Sequence, residues 1–534
     1  MAAIAGQAEN FGGFSAPAPK WSTALQWLIL LVVDAFGVIL AVSIGQDGNW
    51  FFAVAILLTL ILVTIVIVIP RLWPLKWLSP ALALMIILSV YPLLYTLYIA
   101  FTNYSDGHRF TKVEAVELLA ERRYLPEGGI TYRWLVFQNE AGDYALWLTD
   151  DAGNHLFARP NAAFQSVTPN ESGSPPYNED GIPSTFEGYT LLEGGARFRA
   201  INDIQSLTFG DSGSAVGIQS PQTAGVFEQQ WVYNAATDTL TDRATNTVYT
   251  ANNVTGEFVA PDGSTAPIGF WVMVGFDNFV RIISTTLSQG PLLRVVLWTI
   301  AFAVIGTLSS FALGLVSALV LNGGSLGMRL LRTLMIVPYA VPGLVSVLVW
   351  RGMLNANIGV IPTTMESIFG WAPPFSTDPG WAKFAILLVN LWFAAPYFML
   401  IASGALQSIS SDVYEAANVD GASRWTQFWR ITLPLVLVSL GPLLIASIIF
   451  NFNNFFLMEA LFQGGPPMTG TSAPPVGHTD NLISYTYRLA FASGGTKDYG
   501  LASALGVIIF IIVGALTLLQ FRVTRTWEQV SENV

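Results

Sequence analysis

The chain has no cysteine among its 534 residues, which excludes disulfides, thiolate metal sites and a cysteine nucleophile. It is also poor in charge. Asp, Glu, Lys and Arg make up 11%, against about 25% in a typical soluble domain. No G-x-x-x-x-G-K-S/T segment occurs, so ATP hydrolysis is not expected of this chain. The first twenty residues hold only Glu9 and Lys20 as charges and lack a basic start. No clear A-x-A-like cleavage site follows the first apolar run, which therefore reads as a retained anchor.

What is abundant is apolar: hydrophobic residues make up 53%. Runs of the roughly 20 residues needed to cross a bilayer fall at 23–44, 51–69, 78–101, 292–321, 329–353, 382–405, 432–461 and 500–521. The expectation is an all-α polytopic membrane protein with eight transmembrane helices. Lys20, Arg71, Lys76, Arg329, Arg332, Arg424, Arg430, Arg522 and Arg525 all fall on one side of those spans. The bias of basic residues puts that side, and both termini, in the cytoplasm. Residues 1–101 then form a cytoplasmic tail and three helices, and 291–534 a five-helix core with a cytoplasmic loop at 406–434.

The net charge of −11 is uneven, because Thr102 to Gly290 holds 22 Asp and Glu against 10 Lys and Arg. This segment reads as a soluble, β-rich domain inserted between the third and fourth spans, on the outer side. Residues 130–138, 144–150 and 154–160 alternate apolar and polar and are separated by turn residues, as in a β-meander. Residues 230–234 and 247–253 suggest further strands, and 114–123 an amphipathic helix. The domain is placed either to receive a soluble partner or to serve as a passive lid or assembly element. Its acidity gives no reason to expect nucleic-acid binding.

One stretch between two spans is patterned beyond the needs of a connector. Tyr414 to Pro434 reads YEAANVDGASRWTQFWRITLP. Asp412 with Glu415 resembles a capping box, Gly421 is a natural stop, and a second short helix runs from Ala422 to Pro434. Small Ala416, Ala417, Gly421 and Ala422 let a partner approach, while Glu415, Asp420 and Arg424 offer charged hydrogen bonds. An interfacial connector with ordinary caps is the plainer alternative.

Within the spans, Ser447, Phe450, Asn451 and Asn454 fall at i, i+3, i+4 and i+7 and share one helix face. Amides hydrogen-bond hydroxyls and a ring stacks on a pyranose face, so the set suits a sugar; inter-helix hydrogen bonding is the alternative. Pro396, beside Tyr397, interrupts the sixth span, where freed backbone groups line a cavity or a kink serves packing. Asp34 and Glu459 are the main ionisable groups within apolar runs. Asp34 reads as a paired or water-facing group, with an ion path the other reading.

The Tyr414–Pro434 pattern closely resembles the EAA loop of membrane subunits in ATP-binding-cassette importers. Glu415, Ala416, Ala417, Gly421, Ile431, Leu433 and Pro434 fall in register. With eight spans, the insert, VPYAVPGLVSVL at 338–349, IASIIFNFNNFF at 445–456 and GHTDNLISYTYRLAF at 477–491, the chain from Thr102 onward is similar to the larger membrane subunits of maltose/maltodextrin importers. The resemblance implies a permease of the bacterial cytoplasmic membrane that forms half of a pore. A second permease subunit would complete the pore, and two ATPase subunits carrying ATP and Mg would drive it. No cofactor is expected on this chain. A soluble sugar-binding protein would dock on the insert. The resemblance further implies that Phe393, Ala394, Tyr397, Ser447, Phe450, Asn451 and Asn454 bind maltose or maltodextrin. It also implies that Glu415, Ala416, Ala417, Asp420 and Gly421 couple to the ATPase. Phe393 and Ala394 stand where the family more often has Leu and Gly, which would narrow the pocket. Another oligosaccharide such as trehalose, or proton-coupled secondary transport through Asp34, are the rival readings.

Overall fold

The computed structural model describes residues 20–532, apart from 127, 179, 206, 212–215, 219, 288–290, 322–324, 469–475 and 492–496. The expected N-terminal tail lies outside the described residues. The chain divides into two units, one made of residues up to 106 together with 273 onward, the other of 107–272.

The first unit is helical because its runs of Leu, Ile, Val and Ala leave every backbone polar group to be satisfied within the segment itself. Its main helices are α1 (Lys20–Gln46), α2 (Trp50–Val68), α3 (Ser79–Ile99), α4 (Leu292–Val320), α5 (Leu326–Ala340) and α6 (Gly343–Met353). They continue with α7 (Pro379–Gln407), α8 (Ser411–Val419), α9 (Arg424–Phe452), α10 (Phe455–Phe462), α11 (Leu482–Phe491) and α12 (Tyr499–Glu532). Seven of these are long and apolar enough to span a membrane, and α5 with α6 makes an eighth span only as a pair bent by 100°. The expected straight span at 329–353 is thus broken. Val341 (ψ 137°) precedes Pro342 (ψ 128°), so two residues are extended and the helical ladder stops there.

Two prolines in other spans are accommodated differently. Pro92 and Pro434 each come two residues after a π-helical turn, Ile86–Val90 and Phe428–Thr432. The wider turn makes room for a ring that would otherwise clash with the carbonyl four residues back. This corrects the expectation of a separate stub from Ala422: the helix that starts at Arg424 continues through Pro434 into the span.

Small residues set the closest helix contact. On α4, Gly306, Ser310 and Gly314 share a face, and a Cβ at Gly314 would lie 2.5 Å from the Phe398 Cβ on α7. Absent side chains let the two backbones approach, as is common between membrane helices. Around this contact, Phe311, Leu315, Phe398, Met399 and Leu440 form one buried cluster and Phe302, Ile386, Val389 and Met458 another. The two carboxylates expected within apolar runs are both met. Asp34 accepts from the Thr64 hydroxyl at 2.9 Å, and Glu459 pairs with Arg488 at 3.0 Å.

The second unit is β-rich. Strands Thr131–Asn139, Tyr144–Thr149 and His155–Ala158 form the expected antiparallel meander, with Val136 opposite Leu146 and Trp147 opposite Phe157. They belong to a nine-stranded sheet, and a four-stranded sheet follows from Trp231 to Val259. Helix Lys112–Ala120 begins at a Thr111–Glu114 capping box. Helix Gly194–Ile204, which the sequence reading did not find, contributes Ala200 and Ile204 to the core with Trp134 and Leu146. The compact unit ends short of the expected 102–290. Asp277–Arg281 already starts a helical segment of the other unit.

Candidate functional site

Midway along α7 and near the end of α9 lies a cavity of about 670 Å³, within the roughly 300–1,000 Å³ of small-molecule sites. The structure brings all seven expected ligand residues to it: Phe393, Ala394 and Tyr397 from α7, Ser447, Phe450 and Asn451 from α9, and Asn454. Among the described residues its lining contains no charged side chain. Tyr339 and Gly343, on either side of the α5–α6 bend, complete one wall. The broken span therefore reaches the cavity, as irregular backbone at membrane depth tends to do.

Asn454 arrives by a different route from the one expected. It is not on the face of Ser447, Phe450 and Asn451, because α9 ends at Phe452 and Asn454 caps α10, accepting from the Leu457 N–H at 3.1 Å. Consecutive asparagines favour that stop, since their amides compete with the backbone ladder. Asn453 turns its amide back to the Ile449 carbonyl at 3.4 Å and is not part of the lining.

Two amides dominate the buried floor. Asn451 is 4% exposed and donates to the Thr307 hydroxyl of α4 at 2.9 Å. Asn390, also 4% exposed, lines the same cavity, and its Nδ2 has no hydrogen-bond partner among the described residues. A buried amide without a partner carries a cost of about 1–3 kcal/mol that a ligand oxygen would relieve. The sequence reading missed Asn390, although it falls with Phe393, Ala394 and Tyr397 at i, i+3, i+4 and i+7. Above the floor the ring of Phe450 is 72% exposed, an apolar platform open on one side.

The loop at the other end of both helices is built tightly. Its first helix is capped by Ser410, which accepts from the Asp412 N–H, so Asp412 lies inside the helix and the expected Asp412–Glu415 capping box is absent. The helix closes in a Schellman motif: Ala422 N–H donates to the Ala417 carbonyl at 2.9 Å and Gly421 N–H to Asn418 at 3.1 Å. Gly421 takes φ +73° there, the left-handed region where a side chain is strained. Gln427 then locks the elbow, donating to the Asn418 side chain at 2.7 Å and the Ala422 carbonyl at 2.9 Å. The Tyr414 hydroxyl meets that of Thr432 at 2.9 Å, tying α8 to the start of α9. Glu415, Ala416, Asp420 and Gly421 are exposed, and Val419 is 87% exposed, while Ala417 is buried inside the elbow.

Residues 310–526 match the family described as binding-protein-dependent transport system inner membrane component. Residues 83–158 match the N-terminal of TM subunit in PBP-dependent ABC transporters. The maltose/maltodextrin transport system permease protein MalF of Yersinia pestis is 33% identical over 512 residues, covering 94% of this chain and 95% of that one. The MalF of Vibrio cholerae serotype O1 is 35% identical over 526 residues, 95% of each. A crystal structure of a bacterial ABC transporter involved in the import of the acidic polysaccharide alginate is 25% identical, covering 47% of this chain and 84% of that one, with a TM-score of 0.40.

The family match and the spans make the chain a membrane component of a binding-protein-dependent ABC importer, a multi-pass inner-membrane permease that forms the pore. The chain belongs to the family of maltose/maltodextrin transport system permease proteins MalF. In that class the ATPase activity lies on separate partner chains.

Proposed function

We propose that this permease carries maltose and maltodextrins inward, the substrate named for its relatives, and that the uncharged cavity is where the sugar pauses. The convergence of Asn390, Tyr397, Asn451 and Asn454 with the open Phe450 ring on one charge-free cavity carries this reading. Amides supply donors and acceptors to hydroxyls, the ring stacks on the apolar face of a pyranose, and a second permease subunit closes the open side.

The elbow faces the cytoplasm, with both termini on that side, and sits in a cleft of one of two ATPase subunits. Glu415 and Asp420 hydrogen-bond there, and Val419 enters an apolar part of it. α7 ends at Gln407, just before the elbow, and α9 leaves it and runs unbroken from Arg424 to Phe452. At 1.5 Å per residue, α9 is a rod of about 43 Å with the elbow at one end and Asn451 at the other. Closure of the ATP-bound dimer moves the elbow, and the two helices carry that movement to the cavity. Loaded sugar-binding protein docks on the outer side when the cavity opens there.

The test is uptake into vesicles holding the complete complex. Maltose should accumulate only with ATP inside and loaded sugar-binding protein outside. Uptake by this chain alone, following a pH gradient, would contradict the reading and favour a role for Asp34.

A further inference from the structure

At the end of the membrane unit away from the elbow, three basic side chains lie close enough to influence one another, one of them over an indole. Lys383 Nζ of α7 stands 5.1 Å from the centre of the Trp298 ring. Trp298 Nε1 donates to the Thr479 carbonyl at 3.1 Å, which brings His478 alongside. Arg294 lies four residues before Trp298 on α4, on the same face. None of the three is in an ion pair among the described residues. No Asp or Glu occurs in 288–290, 469–475 or 492–496. Burial, and then the Lys383 and Arg294 cations, hold the His478 imidazole below its ordinary range. Like charges held together, Lys383 and His478 of them half-buried, raise the free energy of the charged forms, and an anion placed among them would lower it.

Where that anion comes from is decided by what lies beneath. Asn390 is seven residues further along α7 on the same face as Lys383, about 10 Å deeper at 1.5 Å per residue. The cavity it lines has no charged residue. A charged cargo drawn to the cations would next meet a chamber with nothing to balance it. The anion therefore belongs to what docks at the mouth and not to what passes through.

We propose that Arg294, Lys383 and His478 form a docking site for a carboxylate side chain of the soluble sugar-binding protein. This rests on the reading of the chain as the permease of a binding-protein-dependent sugar importer. Arg294 is exposed and offers the two-pronged geometry that matches a carboxylate, while Lys383, held over Trp298, acts as a point charge. A rim pair of this kind sets the rate of encounter and its salt dependence more than the events after docking.

The test uses the complete transporter in proteoliposomes, with ATPase stimulation titrated by maltose-loaded sugar-binding protein at low and high salt. In the unaltered complex, the concentration giving half-maximal stimulation should rise with salt. Arg294→Gln with Lys383→Gln should raise it about tenfold at low salt, flatten the salt dependence and leave the saturated rate in place. Arg294→Glu, at an exposed position where folding is not at issue, should raise it further, and Lys383→Arg should restore most of the affinity lost with Lys383→Gln. An unchanged half-maximal concentration and salt dependence in Arg294→Glu would overturn the docking site. No stimulation of the unaltered complex at all would instead overturn the importer reading, and the docking site with it.

Discussion

The elbow sits where α7 ends and α9 begins, the cavity midway along α7 and near the far end of α9, and the two use their polar groups in opposite ways. In the elbow the turn is closed within the chain: Gly421 and Ala422 donate into the helix end, Gln427 donates twice, and Tyr414 meets Thr432. In the cavity, Asn390 keeps a buried donor without a partner among the described residues, and the Phe450 ring is left bare. A part that transmits force should be internally complete, so that movement is passed on and not absorbed. A part that receives a ligand should be incomplete, so that the ligand finishes it. On the function proposed above, that is the difference expected between a transmitter and a receptor.

That contrast can be broken most severely at the elbow. Gly421→Val places a β-branched side chain at φ +73°, at a cost of roughly 1–2 kcal/mol or more. Sugar uptake should fall by more than about tenfold while the ATPase chains remain bound, as measured by uptake and co-purification in parallel. Asn451→Ala removes a cavity amide and leaves the Thr307 hydroxyl without its partner. Uptake at limiting sugar should fall about tenfold, equivalent to about 1.4 kcal/mol, with assembly intact on size-exclusion chromatography.

A smaller change sharpens the transmitter. Gln427→Leu deletes both donors that lock the elbow, at about 1 kcal/mol each. ATP hydrolysed per sugar moved should rise several-fold, read from matched hydrolysis and uptake rates. The smallest effect on the fold comes from the receptor. Asn390→Leu removes an amide whose Nδ2 has no hydrogen-bond partner among the described residues, so thermal stability in detergent should hold or rise. Half-saturation for sugar should worsen a few-fold. A clear loss of stability there would mean that the amide serves the fold and not the ligand.

Much of this was legible before any coordinates, for reasons that differ by region. Spans are read from composition because a bilayer forbids unpaired backbone, so α4, α7 and α12 follow from their apolar runs. The meander at 131–158 follows from alternation, and the seven cavity residues from helical spacing together with a family likeness. What was misread depends on which of several local devices wins. Ser410 took the cap that Asp412 also offered, and a π-turn before Pro434 kept α9 continuous where a break was expected. Asn454 left the helix because Asn453 and Asn454 together stop it. Asn390 shows neglect and not ambiguity: its spacing was in plain view, but its missing partner is visible only in three dimensions. Helix Gly194–Ile204 carries a helical spacing in Ala200, Ile201 and Ile204, but it opens with two glycines, poor helix formers that mask its start.

Because the chain has no cysteine, one introduced thiol reports on one place. The most direct test labels Ser447→Cys, in the cavity wall, with a membrane-impermeant thiol reagent applied from either side of the reconstituted complex. The account predicts that ATP with loaded sugar-binding protein switches the reactive side, and that adding Gly421→Val abolishes the switch while the ATPase chains stay bound. Labelling from the same side at the same rate in every state, or a switch that survives Gly421→Val, would contradict the claim that the elbow drives the cavity.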